Sequence, residues 1–274
     1  MLKPQRCSYK MSMETERLPP CWLRRKPTAP DNDVPLASGL YRIGPAELFR
    51  RALLAAIDAA QQVVLIASFL FSDEEIAKAL LRGAQRGVRI YVLTASEARL
   101  NSLPKEDDGF GQRMIQEHKR LLDSLADAVL LRSAEHFHAK FLIVDPRGPQ
   151  PRGFLSTANF NPALREGVEL GIALGGDMVE ALSRWFGWVF WHEAEHELSG
   201  KGRLARVESP PGRITEPKHK GIWVTTRSHT SLGAAVLRII EESRRELIVS
   251  SYGFDLDHAV VARLIDKAKQ GRKV

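Results

Sequence analysis

Residues 45–93 carry a strand-helix-strand pattern. Apolar residues at helical spacing come first, and an apolar run at 63–70 predicts a strand. Asp73 and Gly87 have the residue types that begin and end a helix, and a second strand is expected at 88–93. Two strands joined through a helix are usually parallel. The pattern therefore indicates an α/β fold.

The same pattern returns near the end of the printed sequence. Three residues recur at a constant offset: Ile57, Ser68 and Phe71 as Ile240, Ser251 and Phe254. The repeat breaks off at Val274, where the next strand should begin. Internal duplication predicts two similar halves, although similar units occur throughout α/β proteins. We expect one complete half and the start of a second, in a truncated gene product or a fragment.

Composition along the chain predicts four segments. They are a disordered, basic and Pro-rich leader at 1–38, a complete half at 39–198, a linker or surface loop at 199–220, and the truncated start of a second half at 221–274. The leader lacks the apolar stretch of a secretory signal. Cys7 and Cys21 both lie in it and provide no disulfide framework.

The overall composition favours anionic partners. The chain has 274 residues, of which 44% are hydrophobic and 27% charged, as in ordinary soluble globular proteins. A net charge of +7 suits nucleic acid, anionic lipid headgroups or phosphorylated small molecules, although a solvated basic surface also explains it. Without a long apolar run, no membrane span is expected. We expect a cytoplasmic protein, with peripheral membrane contact as an alternative.

Residues 138–145 read His-Ala-Lys-Phe-Leu-Ile-Val-Asp. If His138 and Lys140 lie on a strand, their side chains share one face because side chains alternate. The four apolar residues between Lys140 and Asp145 are typical of a buried strand. An imidazole can attack phosphorus, and an ammonium group can hold oxygens that gain charge. The segment therefore suggests a phosphate site.

This segment resembles the His-Lys-Asp motif of the phospholipase D superfamily. In that family a small-residue turn follows, and here Thr157 and Asn159 fall on its Ser and Asn positions, with Ser156 where Gly is usual. Glu169 matches the Glu that is common on the next strand. The resemblance covers residues 40–274 and is sharpest at the motif. It implies a mixed central β-sheet flanked by helices, in an α/β/α sandwich.

The resemblance also implies a role for each candidate residue other than the nucleophile. Lys140 and Asn159 would donate hydrogen bonds to the nonbridging phosphate oxygens, and Thr157 would add a hydroxyl donor. Asp145 belongs to the catalytic motif and would mainly position its surroundings. Glu169 would orient a catalytic imidazole and set its tautomer.

The reaction implied for His138 is attack on a phosphodiester through a covalent phosphohistidine, without a metal or cofactor. A second His should protonate the leaving alkoxide, yet the sequence holds one complete motif. Either two chains pair as a homodimer, as in single-motif bacterial endonucleases of the superfamily, or a second motif lies beyond Val274. The partial repeat favours a second motif beyond Val274. A chain with one motif alone would bind the substrate without cleaving it.

The substrate class stays open between two phosphodiesters. Residues 159–164 read Asn-Phe-Asn-Pro-Ala-Leu, which departs from the Asn-x-Asp-x-Arg-Ser of phosphatidyl-transferring members. That departure favours an endonuclease or nucleic-acid-binding protein, whereas the two-half architecture favours phospholipase and synthase members. We expect a phosphodiesterase or phosphatidyltransferase, with phospholipid slightly ahead of nucleic acid.

A zinc hydrolase is the remote alternative. His192-Glu193-Ala-Glu-His196 matches His-Glu-x-x-His, which on a helix places two His on one face with a Glu base. No third ligand is evident, and we interpret the segment as a solvated helix end. His136 is expected at a strand edge, and His118 at the surface of a predicted helix.

Overall fold

The computed structural model describes residues 6–7, 21–22, 38–44, 46–101, 110–135, 137–166, 169–207, 215–218, 221–226, 230–251 and 255–274. The chain divides into two compact units: Leu36–Ile222, and Met1–Pro35 together with Trp223–Val274. In the leader, strand β1 (Arg6–Cys7) pairs antiparallel with β2 (Cys21–Trp22). Most of the leader that the sequence predicts to be disordered lies outside the described residues.

The unit Leu36–Ile222 is built on a nine-stranded mixed sheet. Its strands are β3 (Leu40–Ile43), β4 (Val63–Ser68), β5 (Arg89–Ala95), β6 (Leu130–Ala134), β7 (Phe141–Val144), β8 (Arg152–Ser156), β9 (Glu169–Leu174), β10 (His196–Leu198) and β11 (Leu204–Arg206). Their order is β11-β10-β6-β5-β4-β7-β8-β9-β3. The β4–β5 and β5–β6 pairs are parallel, and the others are antiparallel.

Helices cover both faces of this sheet. They are α1 (Leu48–Asp58), α2 (Glu74–Gln85), α3 (Glu97–Asn101), α4 (Phe110–Leu125), α5 (Ala163–Glu166) and α6 (Gly176–Trp188). Buried side chains of α1, α2 and α4 form one core cluster with alternate strand residues such as Ile66 and Leu142. On the other face, α6 packs Val179 and Phe186 against Phe141 and Ile143. The expected mixed sheet between helices is therefore confirmed.

The expected strand-helix-strand unit is β4-α2-β5. Asp73 begins α2, because its carboxylate accepts the backbone N–H groups of Glu75 and Ile76, both at 3.1 Å. The same buried carboxylate receives Arg50 Nε at 2.6 Å and a terminal guanidinium nitrogen at 2.9 Å. Gly87 ends the helix with a φ of +87°, which glycine adopts readily. Local sequence signals thus set this unit.

Strand β7 supplies the buried run of the motif. All four residues of Phe141–Val144 are buried, because β7 lies between β4 and β8 with both faces covered. The strand begins after Lys140, so His138 and Lys140 lie in the loop that leads into it. The expectation that this pair sits on the strand itself is wrong.

The unit that contains Trp223–Val274 holds helices α7 (Ser231–Glu242) and α8 (Ala259–Lys269). Ile240 of α7 and Leu264 of α8 are buried, and Lys267 Nζ donates to the Glu241 carbonyl at 2.9 Å. The strand-helix-strand pattern that returns in this part of the sequence predicts a strand at 246–252, between these two helices. Within the described part of this segment, Glu246 forms only an isolated parallel bridge with Lys273. A strand requires a hydrogen-bonded neighbour along its length, and a single bridge does not provide one.

The predicted linker and the aromatic residues at the end of α6 both take part in regular structure. Strand β11 lies inside the segment 199–220 and pairs with β10. Beyond α6, a π-helical turn covers Val189–Glu193. It places Phe190 in the core, where the guanidinium carbon of Arg132 lies 4.9 Å from the centre of the Phe190 ring. The aromatic residues of this region therefore serve mainly in packing.

Candidate active site

The site lies in the loop before β7, next to the carboxyl end of the parallel strand β4. Lys140 is buried, whereas His138 keeps an exposed edge. The Lys140 Nζ atom lies 3.0 Å from His138 Nδ1 and 3.2 Å from His138 Nε2. The structure therefore brings together the imidazole and the ammonium group, as the sequence spacing predicts.

Burial lowers the pKa of both groups, which keeps the His138 imidazole free to act as a nucleophile and brings the pKa of Lys140 closer to neutrality. Burial lowers the pKa of Lys140 to about 8, against an opposing effect from the Glu169 carboxylate. Partial burial also lowers the pKa of His138 below its ordinary value, with further contributions from the positive charges of Lys140 and Arg99. At neutral pH the imidazole is therefore uncharged beside a protonated amine.

The segment Ser68–Phe71, which leaves β4, lies under the site. The ring centres of Phe69 and His138 are 4.9 Å apart at an interplanar angle of 58°. The backbone N–H of Leu70 donates to Asn159 Oδ1 at 3.3 Å. Sequence reasoning did not assign Phe69 or Arg99 to the site. The available signal was their place after β4 and β5, since ligands bind at the carboxyl ends of parallel strands.

The turn after β8 brings Asn159 and Thr157 to the same region. Asn159 is half-buried, and its carbonyl oxygen is held by Leu70, which leaves an amide NH₂ group of the type that donates to phosphate oxygens. The Thr157 hydroxyl donates to Glu169 Oε2 and accepts the Leu170 N–H at 3.0 Å. Thr157 thus supports the Glu169 carboxylate, which differs from the phosphate-donor role expected for it.

Asp145 lies at the opposite end of β7, away from His138. Its carboxylate accepts the backbone N–H groups of Gln61, Gln62 and Val63, each at 2.8 Å. Its own backbone adopts a φ of +46°, which is unusual for a non-glycine residue. The structure therefore places Asp145 at the other end of β7 from the reacting pair, with contacts that suit the positioning role expected for it.

His118 is buried, so its expected surface position is wrong. Only 2% of the residue is exposed, and the backbone N–H of Phe71 lies 3.0 Å from its Nδ1 atom. Burial lowers the pKa of His118 to about 4, so the ring is uncharged at neutral pH. The flanking Glu117 and Lys119 suggested a solvated face, whereas the hydrogen bond to a distant loop accounts for the burial. His136 lies outside the described residues.

The zinc alternative fails on geometry. The π-helical turn ends at Glu193, and His196 belongs to β10, where it pairs with Ser133. His192 instead stacks on Trp188, with ring centres 5.7 Å apart. The two His therefore do not share a helical face. Across the described ranges, no three His, Cys, Asp or Glu side chains cluster in a way that suits a metal ion.

The site lies within a stretch of sequence that matches a known protein family. Residues 53–189, half of the chain, match the sequence profile of the family described as cardiolipin synthase, PLD-like domain. Among solved structures, Nuc of Salmonella typhimurium, a phospholipase D family member, is 21% identical over 61% of this chain and 98% of its own, with a TM-score of 0.43. No curated protein matches significantly.

Two further solved structures resemble the chain at lower identity. NucT from Helicobacter pylori is 16% identical over 57% of this chain and 95% of its own, with a TM-score of 0.43. Phosphatidylserine synthase of Haemophilus influenzae Rd KW20 is 13% identical over 61% of this chain and 40% of its own, with a TM-score of 0.47. Separately, none of the helices in the described part of the chain has the length and apolar character that crossing a membrane requires.

Proposed function

The chain belongs to the cardiolipin synthase, PLD-like domain family of the phospholipase D superfamily, and on that premise we propose that it cleaves or transfers phosphodiester bonds through His138. The contact between Lys140 Nζ and the His138 ring, at 3.0 Å and 3.2 Å, carries the proposal. It joins a nucleophile to a cation that can hold the attacked phosphate.

The proposed reaction has two steps. An uncharged ring nitrogen of His138 attacks phosphorus, and the bond from phosphorus to the leaving alkoxide breaks. Lys140 and the Asn159 amide hold the nonbridging oxygens as their negative charge grows. Water or an alcohol then attacks the phosphohistidine and restores the free imidazole. Hydrolysis follows from water and phosphatidyl transfer from an alcohol, and neither step calls on a metal or cofactor.

Protonation of the leaving alkoxide requires a second imidazole. We place it on a second motif, contributed by a partner subunit or by a second half of the kind that residues 231–274 begin. The parallel bridge of Glu246 with Lys273 supports the second half, because it repeats the pairing of Val63 with Arg89 nearly in register. The carboxylate of Glu169, held by Thr157, is suited to orient that imidazole.

We place phospholipid first among the substrate classes, which implies that the protein acts at a membrane surface. The match to a cardiolipin synthase-like family and the repeat both support it. Nucleic acid is the second candidate, because the turn after Asn159 lacks the Asp-x-Arg-Ser residues of phosphatidyl-transferring members. The basic net charge of +7 suits both substrate classes.

Trapping the covalent intermediate tests the proposal. The protein is incubated with phosphatidylglycerol that carries ³²P in its phosphodiester, or with internally ³²P-labelled DNA, and is then quenched in alkali, which preserves phosphohistidine. We expect label on the protein from the lipid, in EDTA as well as without it. Label from DNA alone, together with binding that weakens steeply with salt, would select the nuclease. Absence of label from both substrates contradicts the proposal.

The pH profile of phosphoenzyme formation should be bell-shaped. The rate is expected to rise with pH as His138 loses its proton, at a pH below the ordinary pKa of histidine. It should fall as Lys140 loses its proton, since the pKa of Lys140 is about 8. In Lys140→Arg the part of the alkaline fall that belongs to Lys140 should disappear, because guanidinium stays protonated, and the remaining fall should be that of the second imidazole alone. Lys78→Arg, at an exposed lysine of α2, is the control and should keep the parent profile.

A further inference from the structure

We propose that His118 is a positioning residue for the active site: from helix α4 it fixes the Ser68–Phe71 segment against which His138 and Asn159 rest. The inference deepens the proposed function and rests on it for its catalytic consequence. Its structural part concerns five contacts that join α4, through the Ser68–Phe71 segment, to His138 and to the turn that carries Asn159.

The first contacts lie between α4 and the segment. The Phe71 N–H donates to His118 Nδ1 at 3.0 Å, and both residues are buried. His118 Nδ1 also lies 3.1 Å from the Phe71 carbonyl oxygen. The ring is uncharged at neutral pH, and in the tautomer that carries its proton on Nε2 the Nδ1 lone pair accepts the Phe71 N–H. One helical turn earlier, Ile115 packs against a small buried cluster formed by Phe69, Ala95 and Leu100. Helix α4 therefore holds the segment at two points.

The second contacts lie between the segment and the site. Phe69 is 7% exposed, and its ring covers one side of the His138 imidazole. The next residue, Leu70, donates its N–H to Asn159 Oδ1 and thereby orients the amide. The Ser68 hydroxyl accepts the Phe160 N–H at 3.0 Å, which ties the segment to the turn that carries Asn159. A shift of this short segment would move the imidazole and the amide together.

Loss of the His118 bond has a defined consequence. The Phe71 N–H would be buried without an acceptor, so the backbone would move to find another partner. Phe69 would then leave the His138 ring, which removes part of the burial that lowers its pKa. A misplacement of about 1 Å in a reacting group can cost on the order of 100-fold in rate.

Two substitutions at position 118 separate positioning from packing. His118→Leu fills the space without an acceptor, whereas the Oδ1 atom of His118→Asn stands close to the position of Nδ1. We expect phosphoenzyme formation to slow by roughly 10- to 100-fold in His118→Leu with little change in KM. His118→Asn should stay within about 3-fold of the parent, because one neutral hydrogen bond is restored. The pKa of the His138 ring, followed by NMR titration, should rise in His118→Leu and stay low in His118→Asn.

The control is Leu125→Ala, a buried substitution on the same helix that faces the main core. It should lower the melting temperature without moving the pKa of His138 or the rate per folded molecule. Phe69→Leu, which breaks the other end of the chain of contacts, should raise the pKa of His138 even if His118→Leu does not fold. The inference would be overturned by equal rate losses in Leu125→Ala and His118→Leu. It would also be overturned if the pKa of His138 stayed unchanged in Phe69→Leu or in His118→Leu. If neither lipid nor DNA is cleaved, the titration still decides the role of His118 while the proposed function fails separately.

Discussion

Replacing His138 with alanine is expected to abolish phosphoenzyme formation and phosphodiester cleavage, a loss of at least about 10⁴-fold. The residue supplies the nitrogen that would bond to phosphorus, and Lys140, 3.0 Å away, provides charge but no nucleophile at neutral pH. Binding of substrate should survive, because Lys140 and Asn159 remain to hold the phosphate. The measurement is the amount of alkali-stable ³²P on the protein at saturating substrate, together with the steady-state rate.

The matched control for this experiment is His192→Asn. His192 is also exposed, but it stacks on Trp188 in a different part of the unit. It belongs to the His-Glu-x-x-His segment, so the same variant tests the zinc alternative. Activity that persists in His138→Ala and disappears in His192→Asn or in EDTA would reverse the assignment of the two histidines.

Replacing Asp145 with alanine is expected to lower the free energy of unfolding by about 4 kcal/mol. Three backbone N–H groups at the start of β4 would lose the carboxylate that they share, each at 2.8 Å. The left-handed backbone at Asp145, with φ of +46°, adds to the cost because alanine adopts it less readily than aspartate. Urea denaturation followed by circular dichroism measures the loss.

Asp123→Ala provides the comparison for Asp145. Asp123 is half-buried, and its carboxylate accepts a single backbone N–H, from Gly202 at 2.8 Å, in a solvent-exposed hydrogen bond, so we expect a loss of about 1 kcal/mol or less. The rate per folded molecule should stay near that of the parent in Asp145→Ala, because the carboxylate lies at the far end of β7. A large fall in this rate without a fall in stability would return Asp145 to the catalytic group.

Several features of the fold follow from residues that are close in sequence. The cap at Asp73, the end of α2 at Gly87 and the buried run of β7 were predicted because capping and apolar periodicity are local properties. The closeness of His138 and Lys140 was also predicted, although both precede the strand. The two residues are two positions apart and Lys140 directly precedes the strand, which leaves little freedom for their side chains to separate.

Other features depended on contacts between distant segments. His118 has charged neighbours along its helix, yet it is buried and hydrogen-bonds to Phe71, which is far away in sequence. The His-Glu-x-x-His segment has helical spacing, yet His196 lies on strand β10, which pairs with β6, and not on the helix. The sequence pattern does not predict which loop contacts which helix, because such contacts depend on tertiary packing, which overrides local propensity.

The sequence by itself determined the strand-helix-strand unit β4-α2-β5, the buried run of β7, the α/β class and the closeness of His138 to Lys140, since periodicity, capping and short spacing act within a few residues. The tertiary structure decided that Asp145 anchors β4 and that Phe69 covers the imidazole from a segment held by His118. Such roles arise where strands that are remote along the chain end side by side, and the free energy of those contacts exists only once the sheet has formed.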